Sequence, residues 1–322
     1  MGREAFSAHS GIDVRITNHI EEALRDTCSS TPALADAVRG LVRSDTEMPN
    51  PFRLIAQPTL GCLSGEPEDA LPVCALSRVW WAGAETLDDL MDGHFNGPAA
   101  GMSHSTAMVA ATACLTLLPQ AIIRTQGYPA PLAVAMTSEL VGTSLQCAAG
   151  QLDDIDTARP VTWKQVMCNY AGKTGAPYAR DAALVAHVAG LPADGIRAWR
   201  VFGSLFGVLR QLANDRAYGS ATEDADLANG TPTLVLAHAV ETLPTPAAVE
   251  LLDLHRSSRV DAAARTEIWH RLRARPVATG YNQRLAVMRA RMLDLLRSLA
   301  SPSDHRTLIE RLIIMSAQKA ML

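Results

Sequence analysis

The 322-residue chain is poor in charge, with 19% Asp, Glu, Lys and Arg against 48% hydrophobic residues, and nowhere does it gather its basic residues into a cluster. At a formal net charge of -4 it offers no electrostatic reason to bind nucleic acid. Its six cysteines form no Cys-x-x-Cys pair, and four fall in apolar helical segments. They are read as reduced core residues, which points to a cytoplasmic setting. No apolar run follows Arg3 within Met1 to Val14, which argues against a secretory signal. The longest apolar run, Ala107 to Ile123, is Thr-rich and broken by Pro119, so stable membrane insertion is not expected. Repeats and low-complexity segments are also lacking.

Strand-like alternation is nearly absent, whereas apolar spacings of three and four recur from end to end, which predicts an all-α fold. Helices are predicted over Ile12 to Arg25, Ala33 to Ser44, around Phe52 to Leu63, Ala70 to Met91, Ser105 to Ile123, Pro131 to Gln151 and Trp163 to Ala189. Six more follow over Gly195 to Tyr218, Thr231 to Glu241, Ala247 to Leu254, Val260 to Ala274, Tyr281 to Leu299 and Asp304 to Ala317. The helices over Pro131 to Gln151 and Trp163 to Ala189 are nearly free of charge in their centres, as burial on most faces requires. No seam marks a boundary, and a single domain over 1–322 is expected.

Against this apolar background, Asp88-Asp89-Leu90-Met91-Asp92 stands out. Asp88 and Asp92 are one helical turn apart and project from one face. With no Lys or Arg beside them on that helix they repel each other, and a hard divalent cation between them relieves the repulsion. Magnesium takes few protein carboxylates and completes its shell with phosphate oxygens, so a phosphorylated substrate is predicted. A second acidic group comes more than a hundred residues later, with Asn214-Asp215 at a helix end and Glu223, Asp224 and Asp226 in a polar loop. Two such ligand walls across one bundle cavity would hold magnesium and a diphosphate. Between them Lys173 interrupts a long apolar helix and is a candidate to meet the diphosphate, a surface lysine being the alternative.

These segments, in this order, resemble the trans-isoprenyl diphosphate synthase (polyprenyl synthetase) family over about Pro49 to the C-terminus. Leu63 to Pro72 resembles the turn before the first catalytic helix, and Asp88 to Asp92 the first aspartate-rich motif. Gly150-Gln151-Leu152-Asp153-Asp154 resembles the Gly-Gln motif, and Gly172-Lys173-Thr174 the Lys-Thr pair. Gln211 to Asp215 stands in the place of the second aspartate-rich motif, and Asp226 to Leu234 is similar to the stretch after it. The resemblance implies a class I isoprenoid synthase helical bundle around a central cavity, a prenyl diphosphate substrate, three Mg2+ ions with diphosphate bound, and a homodimer. It implies metal ligation by Asp88, Asp89, Asp92, Asn214, Asp215 and Glu223, with Asp88, Asp92, Asn214 and Lys173 catalytic. Substrate contacts are implied for Arg53, Gln151, Lys173, Gln211 and Tyr218.

The chain also departs from the pattern. Where elongating members carry Gly-Gly-Lys-Arg and an Arg-Arg pair for isopentenyl diphosphate, it has Met48 to Arg53 and Gly93 to Gly97, and only Arg53 is cationic. A second diphosphate without cations would be a poorly compensated charge, which disfavours condensation with isopentenyl diphosphate. Asn214 replaces an aspartate and matches the start of the second metal motif of class I terpene cyclases, although Tyr218 and Thr222 break the rest of that motif and Glu223 follows it. In the family the residues five and four before the first aspartate help set chain length; here they are Gly83 and Ala84, both small, so the resemblance implies room for a farnesyl or longer chain with Trp80 as a floor. Trp80, Trp81, Phe202 and Phe206 are candidates for an apolar wall, with core packing as the default alternative for the tryptophans. Tyr218 either orients substrate or caps its helix. The first functional reading is a Mg2+-dependent class I terpene cyclase, a lyase acting on farnesyl or geranylgeranyl diphosphate. The second is a prenyltransferase, and the third a non-catalytic partner subunit.

Overall fold

The computed structural model describes residues 3–44, 51–93, 95, 102–155, 161–216 and 219–322, and among these every regular element is helical. The order is α1 (Arg3–Thr27), α2 (Pro32–Ser44), a 3-10 turn (Pro51–Leu54), α3 (Ala56–Ser64), a second 3-10 turn (Pro67–Ala70), α4 (Leu71–Met91), α5 (His104–Thr116), α6 (Leu118–Thr125) and α7 (Ala130–Ile155). It continues with α8 (Trp163–Tyr170), one π turn (Ala171–Gly175), α9 (Ala176–Val188), α10 (Ala193–Asn214), α11 (Ala225–Asn229), α12 (Leu234–Thr242), α13 (Thr245–Ser257), α14 (Ala262–Leu272), α15 (Arg275–Leu299) and α16 (Asp304–Ala320). Side-chain caps start several of them. Ser103 accepts the Thr106 N–H at 3.1 Å for α5, and Thr162 accepts the Gln165 N–H at 3.2 Å for α8.

Two predicted helices are broken, each at a proline. The segment expected over Ser105 to Ile123 is α5 and α6, bent by 43°. Pro119 has no N–H for the carbonyl four residues back, and its ring collides with that turn. In the segment expected over Trp163 to Ala189, Pro177 likewise cannot donate to Lys173, and the chain widens into the π turn just before it. The helix expected to reach Tyr218 stops at Asn214, and the short α11 was not predicted. Among the described residues no single helix is long and apolar enough to cross a membrane. Cys28, Cys74 and Cys114 are buried thiols, and burial pushes those of Cys74 and Cys114 up to about 12. Cys168 is exposed, against the core placement expected of the cysteines.

Contacts gather into two compact units, Met1–Ser144 with Asp181–Ile196, and Leu145–Arg180 with Arg197–Leu322. In the first, α4 packs against α1, α2, α5 and α6. A Cβ on Gly83 would lie 2.8 Å from the Ala111 carbonyl, so the missing side chain lets α4 and α5 approach each other. In the second, Gly203 and Gly207 do the same for α10, where a Cβ on Gly207 would lie 2.5 Å from the Thr174 carbonyl of the π turn. Beside them Tyr178, Trp199, Phe202 and Phe206 form a buried aromatic group, with Trp199 and Phe202 edge-to-face at 5.4 Å.

Candidate functional site

The acidic end of α4 forms as its spacing predicts. Leu71 to Met91 starts with Pro72 in its first turn and stops at Asp92, whose N–H reaches the Asp88 carbonyl at 2.9 Å. Gly93 then turns the chain with φ 71°, a conformation that suits glycine at a helix end. Asp88 is half-buried, while Asp89 and Asp92 are exposed. One turn back, Glu85 is ion-paired with Arg53, whose guanidinium lies over the Trp81 ring at 5.3 Å. Trp80 is buried and meets Trp81 edge-to-face at 5.3 Å. Ala84 is half-buried, but the space expected at Gly83 is filled by α5. A small residue before an aspartate motif served helix packing here, which corrects the reading of Gly83 as pocket volume.

The second unit assembles a denser group around the π turn. Gly150 of α7 lies against this turn so tightly that a Cβ would come within 2.5 Å of the Lys173 nitrogen, and Gly172 provides the matching gap. That approach brings Asp154, on the same helix as Gly150, to Lys173, with Nζ and Oδ2 at 2.8 Å. Asn169 donates to the other Asp154 oxygen at 3.2 Å. Tyr170, the residue before the turn, is buried and donates its hydroxyl to Asp215 Oδ2 at 2.5 Å. Gln211 donates to Asp215 Oδ1 at 2.9 Å and accepts the Thr174 hydroxyl at 2.6 Å.

Electrostatics in this group are dominated by burial. Asp215 is only partly enclosed as a residue, but its carboxyl is surrounded, and burial pushes it up to about 7. Hydrogen bonds from Tyr170 and Gln211 oppose that rise, while the charges of Asp224 and Asp154 add to it. Asp226 is held well above the carboxylate range by burial and then by Asp215, Asp224 and Asp154. Asp224 is raised by burial too, and its carboxylate caps α11 through the Leu227 N–H at 3.1 Å. Burial and the facing carboxylates keep the Tyr170 phenol neutral, so it acts as a donor.

Asn214 ends α10 and is exposed, as is Glu223 in the loop beyond, while Gln151 is half-buried. Phe202 and Phe206 are buried in the aromatic group beside Trp199. Tyr218, His94 and the cation-poor stretch Met48 to Asn50 lie outside the described residues. Neither Tyr170 nor Asp154 has a role assigned to it by the sequence alone. The signal for Tyr170 was its place one turn before Lys173, on the same helical face.

Among the described residues no three His, Cys, Asp or Glu side chains stand close enough to hold a metal ion by themselves. The donor chemistry nevertheless fits a hard cation, since carboxylates driven towards protonation by burial and mutual repulsion are those a divalent ion would return to the charged form. Magnesium in particular needs only one or two carboxylates when phosphate oxygens complete its shell.

No protein-family model matches the chain, and no curated protein matches it. Solved structures do. A geranylgeranyl pyrophosphate synthetase from Pyrococcus horikoshii Ot3 superposes with a TM-score of 0.76 at 16% identity, covering 97% of this chain and 99% of that one. A geranylgeranyl pyrophosphate synthase from Corynebacterium glutamicum, complexed with isoprenyl diphosphate and magnesium, gives 0.77 at 19% identity over 96% and 98%. A decaprenyl diphosphate synthase from Rhodobacter capsulatus gives 0.73 at 14% identity over 98% of each chain. The chain has the all-α isoprenoid synthase fold of the prenyl diphosphate synthases.

Proposed function

We propose that this chain is a magnesium-dependent prenyltransferase that ionises an allylic prenyl diphosphate and passes the prenyl group to an acceptor. The observation that carries the reading is the π turn, which sets Lys173 beside Asp154 and ties Thr174 and Tyr170 to the acidic end of α10. π turns of this kind are frequent at functional sites. The solved structures of like fold are prenyl diphosphate synthases, one of them complexed with isoprenyl diphosphate and magnesium. That likeness ranks prenyl transfer above cyclisation, the reverse of the order given by the sequence alone.

Asp88, Asp89 and Asp92 of one acidic segment, and Asn214, Asp215 and Glu223 of the other, are the proposed ligands. Bound there, magnesium would neutralise the charge of the departing diphosphate. Lys173 contributes a compact cation to the same anion, released in part from Asp154 as the substrate arrives. Tyr170 and Gln211 keep Asp215 oriented, and apolar residues keep water from the cation left behind.

Cyclisation remains the second reading on one specific ground. Arg53, the one cation left in the segments where an isopentenyl diphosphate would be held, is engaged by Glu85 and Trp81. Incubation with geranyl, farnesyl and geranylgeranyl diphosphate, with and without isopentenyl diphosphate, separates the two. Longer prenyl diphosphates, or a prenylated acceptor, support transfer, and a hydrocarbon formed without acceptor overturns it in favour of cyclisation. A homodimer is proposed as well, supported by the exposed apolar residues Met108 and Val109 on α5 and Val134 and Val141 on α7. A wild-type protein that sediments as a monomer would remove that proposal.

A further inference from the structure

Tyr170 joins two separate parts of the second unit through a single oxygen. Its ring is buried at the end of α8, directly before the π turn. The hydroxyl donates to Asp215 Oδ2 at 2.5 Å and accepts the Leu234 N–H at 3.3 Å. Leu234 is the first residue of α12, where the backbone N–H has no partner inside its own helix. The other Asp215 oxygen is held by Gln211, which is itself held by Thr174 of the π turn. Both oxygens of Asp215 are thus tied back to the short stretch 170–174, directly through Tyr170 and indirectly through Thr174.

Two neutral donors bring no opposite charge to the carboxyl group and restrict its freedom to rotate. A solvated surface aspartate would pay that orientational cost at each binding event.

We propose that Tyr170 is a positioning residue that presents Asp215 to the magnesium–diphosphate complex, linking the turn that carries Lys173 to the orientation of an acidic ligand. The inference rests on the reading of Asp215 as a magnesium ligand. Tyr170 touches no reacting atom in this scheme and acts only through Asp215.

Calorimetric titration of the full chain with inorganic diphosphate, at fixed magnesium and again in EDTA, tests it without turnover. Tyr170→Phe keeps the ring and removes the hydroxyl. Magnesium-dependent diphosphate affinity should fall about 10- to 100-fold, the usual loss when a group that orients a metal ligand is removed. Asp215→Asn is the control. Loss of affinity in Asp215→Asn with wild-type affinity in Tyr170→Phe overturns the positioning role and leaves Asp215 as ligand. Wild-type affinity in both variants overturns the ligand reading itself. A lowered melting temperature with unchanged affinity in Tyr170→Phe would make the tyrosine a cap for α12 only, and the proposal would fall. Should Tyr170→Phe not fold, 3-fluorotyrosine at position 170 keeps the hydroxyl and strengthens it as a donor. A change of about twofold or more in affinity is then expected, and none would overturn the proposal.

Discussion

At the end of α4, Asp89 and Asp92 face solvent and Asp88 is half-buried, whereas Asp215 and Asp226 are enclosed with Asp154 and Asp224 around the π turn. The first group is more open to water, which screens charge at little cost to the fold. The second lacks that screen. Lys173 offsets part of the charge through Asp154, and burial and repulsion then lift Asp215 to about 7 and Asp226 well above its usual range. One acidic group can therefore stand ready without a cation, while the other stores electrostatic cost that a cation would relieve.

The largest expected effect is on turnover. Asp88→Asn should lower it about 10^3-fold, as the loss of a group stabilising the leaving charge does, with a melting temperature close to wild type. Asp215→Asn should lower turnover as much but raise the stability of the metal-free protein at pH 8 by about 1 kcal/mol, because a buried charge is removed and Tyr170 keeps an oxygen acceptor. Equal stability changes in the two variants, measured by denaturant titration, would erase the distinction between the groups.

A smaller effect separates two glycines of one helix. Gly150→Ala would push a methyl into the backbone of the π turn and should cost about 2 to 3 kcal/mol. Gly142→Ala, eight residues earlier on α7 with nothing within 4 Å, should stabilise by about 0.5 to 1 kcal/mol. Thermal melts of both variants would show whether the approach at Gly150 is as close as the geometry requires.

The metal-free protein should also lose stability as pH rises. An aspartate whose folded pKa is raised stays protonated in the native state while the unfolded chain ionises, so the unfolded state gains from about pH 4 up to about 7, where Asp215 itself titrates. Above that the penalty is constant. Magnesium with diphosphate should flatten this slope. A metal-free stability that rises from pH 4 to 7 would mean the Asp215 carboxyl is not desolvated.

Much of α4 was legible in the sequence because its signals are local. Pro72 at the start, apolar spacing along the length and Asp92-Gly93 at the end place it to within a residue at either boundary. The Asp88–Asp92 face follows from helical geometry alone. What could not be read depends on approach between distant segments. Tyr170 and Asp215 are 45 residues apart, and nothing in either neighbourhood announces their hydrogen bond. Gly83 shows the same limit from the other side, since a missing side chain opens a pocket or admits a neighbouring backbone, and only the position of α5 decides which. Pro119 and Pro177 were visible, but whether a proline bends a helix or resets it through a π turn depends on the packing around it.

The most direct measurement is magnesium-dependent release of inorganic diphosphate from geranyl, farnesyl and geranylgeranyl diphosphate by the wild-type protein, Asp88→Asn and Asp215→Asn. Release from at least one allylic substrate is expected from wild type only, abolished by EDTA, with isopentenyl diphosphate alone inert. A folded wild-type protein that releases diphosphate from none of the three, or an Asp215→Asn variant that releases it at the wild-type rate, would contradict the assignment of these carboxylates to prenyl diphosphate ionisation.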